Sequence, residues 1–574
     1  MAGLALIVAC TAVPAPETTI STEAASTTVA PTTTTTIRPV PDPEFTMRVS
    51  VGCMPLFDLI IAELSIVECP EWGMPLQPSL YRLVPPTATL VPLLAADPTP
   101  PLGQATDDGW EIVVTLRQGV TWSDGTVVDA EDVVYTYQVL SDQAPWRFSY
   151  TVEAIDDFTV RYVWEERPTT NIWQFEAALA PIFSADFWGA QQERPEGGFG
   201  FTPDLEPTAI PTTGPYRLAE VDDDFEGWIL EAVPAWWEAG SSFTVWRNGS
   251  VRYRNPNLGL DETYGEPEGD VIAEWTVGPY ASRVEYSVFG GVNAEIDAFR
   301  EGDIDLMLRS VDFPSGIPDL GAAAGLVRSV LGVDVVVFEF DAPPFDNVAV
   351  RRAAACAFDP QVLVGKVLPG KVLPPTGWGV GLGPWWEDAS LDCEGVGTGN
   401  ILEGVPVAGV LVRPPEYSPI PAAVAAAVYD WLAGLGAEPI DGFIEMGSIF
   451  DDDSVAEFTV FGLGIDPVRL ITNPRVLIDT DIGWQPPEAV ALLDQIRSAY
   501  DLETEQAAYR ELQQLVADQI PAVPVLRQTM VEAFNTHTIL PPFVTPTEDG
   551  YTTPLIGGLR NWESWVVPAT RQAP

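Results

Sequence analysis

The 574-residue chain has one histidine, His537, and two lysines, Lys366 and Lys371. A single imidazole excludes a multi-histidine metal site and argues against a Ser-His-Asp triad. His537, in Asn-Thr-His-Thr near the end, reads as a surface or packing residue. Five cysteines with no CxxC spacing give redox catalysis no support. Positive charge is also scarce. There are 28 basic against 82 acidic residues, a net charge of −54. Such a surface repels nucleic acid and anionic membranes, so a nucleic-acid partner is excluded. The acidity reads in two ways: attraction of cationic ligands, or a solubility adaptation combined with a bias toward arginine. The acidic runs Asp222-Asp-Asp and Asp451-Asp-Asp lack the spacing of a Ca²⁺ loop and read as solvated turns.

Enough apolar residue is present to fold, at 46% of the chain. The length exceeds one hydrophobic core and suits two to four domains. Residues 4–9 read Leu-Ala-Leu-Ile-Val-Ala and precede Cys10. That run is far too short to span a bilayer. It resembles the lipobox of bacterial lipoproteins, in which the chain is cut before a cysteine that is then lipidated. No Lys or Arg precedes the run, so the pattern departs from an export signal and the true start can lie upstream. Residues 18–36 are rich in Thr, Ser, Ala and Pro, too poor in large apolar residues for a core, and read as a tether.

Export places the remaining cysteines, Cys53, Cys69, Cys356 and Cys393, in an oxidising compartment. Three connectivities are open, and so are buried free thiols. Short loops favour Cys53 with Cys69 and Cys356 with Cys393.

From about residue 46 apolar and polar runs alternate. Residues 47–51 and 110–116 read as strands, the second rich in β-branched side chains. Ser-Asp-Gly at 123–125 is a turn. Residues 129–140 read as a helix capped by Asp129, with Val133, Val134, Tyr137 and Leu140 on one face. Asp346 or Asn347 caps a helix carrying Val350, Ala353, Ala354 and Ala357. Further helices are expected over 421–435, ended by Gly434 or Gly436, and over 488–500 and 503–519. Strands alternating with helices in the second half indicate an α/β lobe.

The stretch 116–140 begins Leu-Arg-Gln-Gly-Val-Thr-Trp-Ser-Asp-Gly and continues to Ala130, Asp132 and Val133. It resembles the characteristic region of the extracellular solute-binding proteins of family 5, the peptide- and nickel-binding subunits of ABC importers. Other segments match in order. They are Thr213-Gly-Pro-Tyr216, Trp236-Trp237, the 294–305 segment ending Gly-Asp-Ile-Asp305, Pro344-Phe345 through Val350-Arg351, and 510–524 ending Ile-Pro-Ala-Val-Pro. Thr212 stands where the family has Gly, and Asn347 where it has Asp. A proline-rich stretch around 84–102 is insertion-like.

The resemblance implies an α/β fold, two-lobed and periplasmic-binding-protein-like, of the large three-domain type, with a hinge and an interlobe cleft. Residues 1–10 would be a signal peptide and lipobox, truncated at its start, with the cut before Cys10, and 11–44 a disordered tether. Lobe one would comprise 45–80, 206–330 and 535–574, with an inserted domain at 81–205. Lobe two would be 331–534, with a hinge in the 333–340 crossing. The function implied is capture of a solute, a peptide or second an oligosaccharide, for ABC permease subunits. Such a protein is a monomer without cofactor, lipid-anchored outside the cytoplasmic membrane. An exported hydrolase using two carboxylates is the competing class, although no motif singles out a pair.

In the family a carboxylate that meets the ligand ammonium follows a strand of lobe two. The corresponding stretch here, 458–467, lacks the first Asp and offers Gly462 and Asp466. Asp466 reads equally as a turn residue before Pro467. Trp378, Trp385 and Trp386 in a Gly/Pro-rich loop, and Trp484 in a second loop, are candidates to line the pocket or simply to pack.

Overall fold

The computed structural model describes residues 42–51, 77–84, 87, 89–143, 150–192, 206–222, 227–233, 235–289, 291–307, 319–321, 323–339, 343–359, 372–373, 391, 393–411, 419–445, 456–464, 484–540, 545–547, 550–552 and 567–568. The chain starts into the fold with strand β1 (Asp42–Val51). A hairpin, β2 (Tyr81–Val84) and β3 (Thr89–Pro92), occupies part of the proline-rich stretch. An antiparallel sheet follows, built from β4 (Gln104–Thr106), β5 (Gly109–Thr115), β6 (Tyr150–Asp156) and β7 (Thr159–Trp164) in the order β4-β5-β7-β6.

Helix α1 (Ala130–Gln143) lies on that sheet, and α2 (Ala185–Gln192) packs beside it. Asp129 caps α1 by accepting from Glu131 N at 3.0 Å. Val133, Tyr137 and Leu140 are buried as the periodicity predicts. Val134 is half-buried, and Thr136 and Val139 complete the inner face instead.

Strands β8 (Tyr216–Val221) and β9 (Gly227–Ala232) return to β1's sheet. A second meander, β10 (Ser242–Trp246), β11 (Val251–Asn255), β12 (Leu260–Tyr264) and β13 (Val271–Thr276), pairs in the order β12-β11-β10-β13. Strand β14 (Ala281–Val288) lies parallel to β1. Helix α3 (Val292–Glu301) stops at Gly302, whose φ of 84° is the left-handed turn that ends helices cheaply only at glycine. Strand β15 (Leu306–Met307) pairs β1 on one side and β21 (Ala522–Asn535) on the other.

Two long antiparallel strands, β16 (Ala324–Phe338) and β21, run through the large sheet. At Val327 and Arg328, β16 is flanked by strand Gly550–Thr552, while β21 is flanked by β15 at Ala533 and Phe534. Beyond residue 331 the neighbours change. From Gly332 onward β16 pairs with β20 (Ala456–Gly464), and β21 at Arg527 and Gln528 pairs with β17 (Val372–Leu373). The register shifts at that point. Val330 opposes Thr529 and Gly332 opposes Gln528, leaving Leu331 as an extra residue. A bulge of this kind locally bends and twists a strand pair.

Past the bulge the sheet continues through β18 (Pro406–Leu411) and β19 (Glu438–Glu445), in the order β19-β18-β20-β16-β21. It is covered on both faces. Val335 and Val337 point into a core shared with α6 (Pro487–Arg497) and α7 (Leu502–Gln519). Val336 and Phe338 point into a separate core with α4 (Val348–Ala357) and α5 (Pro419–Gly434). Burial on alternate faces explains the unbroken apolar run at 335–338, because a strand covered on both sides has no polar side.

The capping residue of α4 is Asn347, which accepts from Ala349 N at 2.9 Å. Gly436, at φ 93°, supplies the left-handed turn after α5. Helices α6 and α7 start at Pro487 and Leu502, one residue before the expected 488 and 503. Helix α6 ends at Arg497 rather than 500, and Asp501 caps α7 by accepting from Thr504 N at 2.8 Å.

Candidate functional site

Gly462 lies on β20 directly opposite Asp334 of β16, three residues past Leu331. Strand β20 is described to Gly464, two positions before Asp466. Asp466, Trp378, Trp385 and Trp386 lie outside the described residues, as do Cys10, Cys53 and Cys69. Trp484 is described and is 5% exposed, packed in the main core with Ala489 and Leu492 of α6. Its ring is therefore closed off from solvent. Cys356 and Cys393 form a disulfide with Cα atoms 5.5 Å apart, tying α4 to the segment after the tryptophan-rich loop.

The residues that carried the resemblance are fastenings of the fold. The Asp132 carboxylate is buried and accepts three hydrogen bonds. Its Oδ2 takes Trp122 Nε1 at 2.9 Å and Asp129 N at 3.2 Å; its Oδ1 takes Ala185 N at 2.8 Å. The tryptophan of the 116–125 segment is thus bonded to the aspartate of the following helix. Burial outweighs these donors and pushes the Asp132 pKa up to about 6.

The same logic recurs elsewhere. Trp236 and Trp237 both donate Nε1–H to Thr213 O, at 2.6 and 3.2 Å, which locks the Gly-Pro-Tyr turn. Asp305, 1% exposed, receives Arg48 through Nε at 3.1 Å, Nη2 at 3.0 Å and the backbone N at 2.9 Å. Arg351 is buried in α4 and donates to Phe345 O at 2.6 Å, Ile520 O at 2.9 Å and Gln519 O at 2.7 Å. It thereby joins the Pro-Phe motif to the end of α7, just before Pro521.

Other buried polar groups escaped sequence reasoning. Ser50 donates to Glu295 at 2.6 Å across β1 and α3. Glu505 in α7 is 1% exposed, and burial pushes its pKa up to about 8. Glu295 and Glu505 sit at positions whose helical periodicity is correct for the core but whose residue type is not, which is a faint signal in sequence. Among the described residues no group of three His, Cys, Asp or Glu is placed to hold a metal ion, and no helix is long and apolar enough to cross a membrane.

Known proteins bear on this arrangement. Peptide transport periplasmic protein SapA of Salmonella typhimurium is 20% identical over 512 residues, spanning 80% of this chain and 81% of that protein. Oligopeptide-binding protein OppA of Bacillus subtilis is 21% identical over 457 residues, spanning 74% and 77%. Among solved structures, the unliganded open form of the periplasmic murein tripeptide binding protein MppA superposes with a TM-score of 0.61 at 14% identity, covering 93% of this chain and 99% of that one. The ABC transporter substrate-binding protein CtaP of Listeria monocytogenes gives 0.59 at 14% identity, covering 92% and 100%. At such identities the likeness is one of fold: α/β, two-lobed, of the periplasmic-binding-protein type. Residues 89–394, more than half of the chain, match the description "Bacterial extracellular solute-binding proteins, family 5 Middle". With the fastenings of that region in place from Trp122 to Arg351, the chain belongs to the extracellular solute-binding proteins of family 5.

Proposed function

We propose that this protein captures a peptide outside the cell, in a cleft that closes between two lobes, and delivers it to an ABC permease. The observation that carries the reading is the β16–β21 pair, which exchanges one set of neighbours for another at the Leu331 bulge. Two strands crossing between two groups of elements, with register shifts at Leu331 and between Asp334 and Val335, supply the hinge that solute traps close on. On this division lobe one comprises 45–80, 206–330 and 535–574, the inserted domain 81–205, and lobe two 331–534. The hinge then spans the two register shifts of the pair, one at Leu331 and one between Asp334 and Val335, the second of which falls within the 333–340 stretch.

Peptide as the ligand class draws support from the names of SapA and OppA. The protein acts as a binder and not an enzyme, as a monomer, held to the outer face of the membrane by a lipid on Cys10 after the signal segment is removed, with 11–44 as its tether. Asp466 and Gly462, in the stretch that corresponds to the family's ammonium-binding segment, meet the peptide. Trp378, Trp385 and Trp386 line its side-chain pockets.

Isothermal titration with trialanine and pentaalanine tests this. The unmodified chain is expected to bind at least one of them. Asp466→Ala is expected to weaken binding at least tenfold, in line with about 1.5–3 kcal/mol for a hydrogen bond to a charged group. Unchanged affinity removes Asp466 from the site. Absence of binding to either peptide by the unmodified chain contradicts the peptide reading.

A further inference from the structure

The segment between β7 and the π-helical turn Asn171–Ala177 lies against the turn joining α6 to α7. The Thr170 amide donates to Ala499 O at 2.9 Å, and the Thr170 hydroxyl donates to the same oxygen at 3.1 Å. Arg167 donates to Tyr500 O at 3.4 Å. Its guanidinium carbon sits 4.3 Å from the centre of the Tyr500 ring and 4.8 Å from that of Trp110. The cation is therefore shared between one aromatic on β5 and one on the α6–α7 turn. Beneath this contact lies Glu505, with Oε2 lacking a hydrogen-bond partner among the described residues and the Thr170 hydroxyl within hydrogen-bonding range of the carboxyl.

On the division proposed above, Trp110, Arg167 and Thr170 belong to the inserted domain, whereas Ala499, Tyr500 and Glu505 belong to lobe two. Opening the trap requires those parts to separate. We propose that the Arg167–Thr170 segment and the α6–α7 turn form a latch that must break each time the protein opens, and that the latch sets how long the protein stays closed. The inference rests on that division and on nothing about the ligand.

The latch carries a proton dependence. Parting the two sides exposes Glu505 to water, where its pKa returns toward 4.5; with the contact made, burial holds it at about 8. The groups facing it are Asp501 and Tyr509 from its own helix and its cap, and the Thr170 hydroxyl from the opposite side. Because the closed state raises the pKa, its stability is complete below about pH 4.5 and is lost progressively as pH rises through about 8.

The Thr170 amide reports on the contact directly, since its acceptor lies across it. Hydrogen exchange of the full ligand-free chain, corrected for intrinsic rates, provides the test. Arg167→Ala is expected to speed Thr170 exchange about tenfold while leaving the β5 and β7 amides and the interior of α7 unchanged. The unmodified chain is expected to show faster Thr170 exchange at pH 9 than at pH 6, and Glu505→Gln to remove that difference. Thr170 exchanging at the rate of the α7 interior in every variant would mean that the contact opens only on unfolding, and overturns the latch. No ligand enters the measurement, so a failure of peptide binding would leave the exchange result standing.

Discussion

Replacing Asp132 with alanine is expected to lower the unfolding free energy by about 3–5 kcal/mol, although Asp132 lies in the region that defines the family. The substitution leaves Trp122 Nε1, Asp129 N and Ala185 N without their acceptor in a buried place. An unsatisfied buried donor costs roughly 1–3 kcal/mol, and the carboxylate's own desolvation, no longer incurred, offsets part of the sum. Urea unfolding followed by tryptophan fluorescence measures the loss. Peptide affinity of the surviving folded fraction is expected to stay unchanged, because among the described residues nothing links this network to 458–464. A variant that keeps its stability and loses affinity would show that the region is part of the binding site.

Arg351→Leu is expected to cost about 3 kcal/mol by the same measurement. Its guanidinium satisfies three carbonyls that the end of α7 and the start of α4 would otherwise leave bare, those of Phe345, Gln519 and Ile520. Ile520 takes a positive φ of 50°, unusual for a β-branched residue, and the Arg351 bond to its carbonyl is one of the contacts that holds it there. Leucine fills similar volume, so the loss is one of hydrogen bonds and not of packing. Arg351→Lys is expected to recover little, since a single ammonium lacks the planar fork that reaches three oxygens. Full stability of Arg351→Lys would show that the fork is not what holds the α4–α7 junction.

These two positions explain why so much of the fold was legible. Trp122, Asp132, Trp236 and Arg351 belong to the segments that carried the resemblance, and each has its buried charge or indole N–H satisfied by a defined partner. Helical and strand periodicity then placed the main elements, down to Asp129 and Asn347 as caps. The bulge at Leu331 was not legible, since an extra residue in an apolar run changes neither composition nor period; it becomes visible only when partners on β21 are counted. The latch was hidden for another reason. Thr170 and Ala499 are 329 positions apart, and no local pattern reports such a pairing. Trp484 shows the limit of reading aromatics on loops, because a loop position says nothing of whether the ring turns outward or, as here, into the core. The ligand class is the least legible part, because the 458–467 stretch, where the family's pattern would point to a ligand contact, is where this sequence departs from that pattern.

Native mass spectrometry of the protein as purified tests peptide capture without any prior choice of ligand. A ladder of adducts with peptide masses, released when the protein is unfolded, is expected. A single adduct with hexose-spaced masses, or turnover of a glycoside or peptide by the purified chain, would contradict peptide capture.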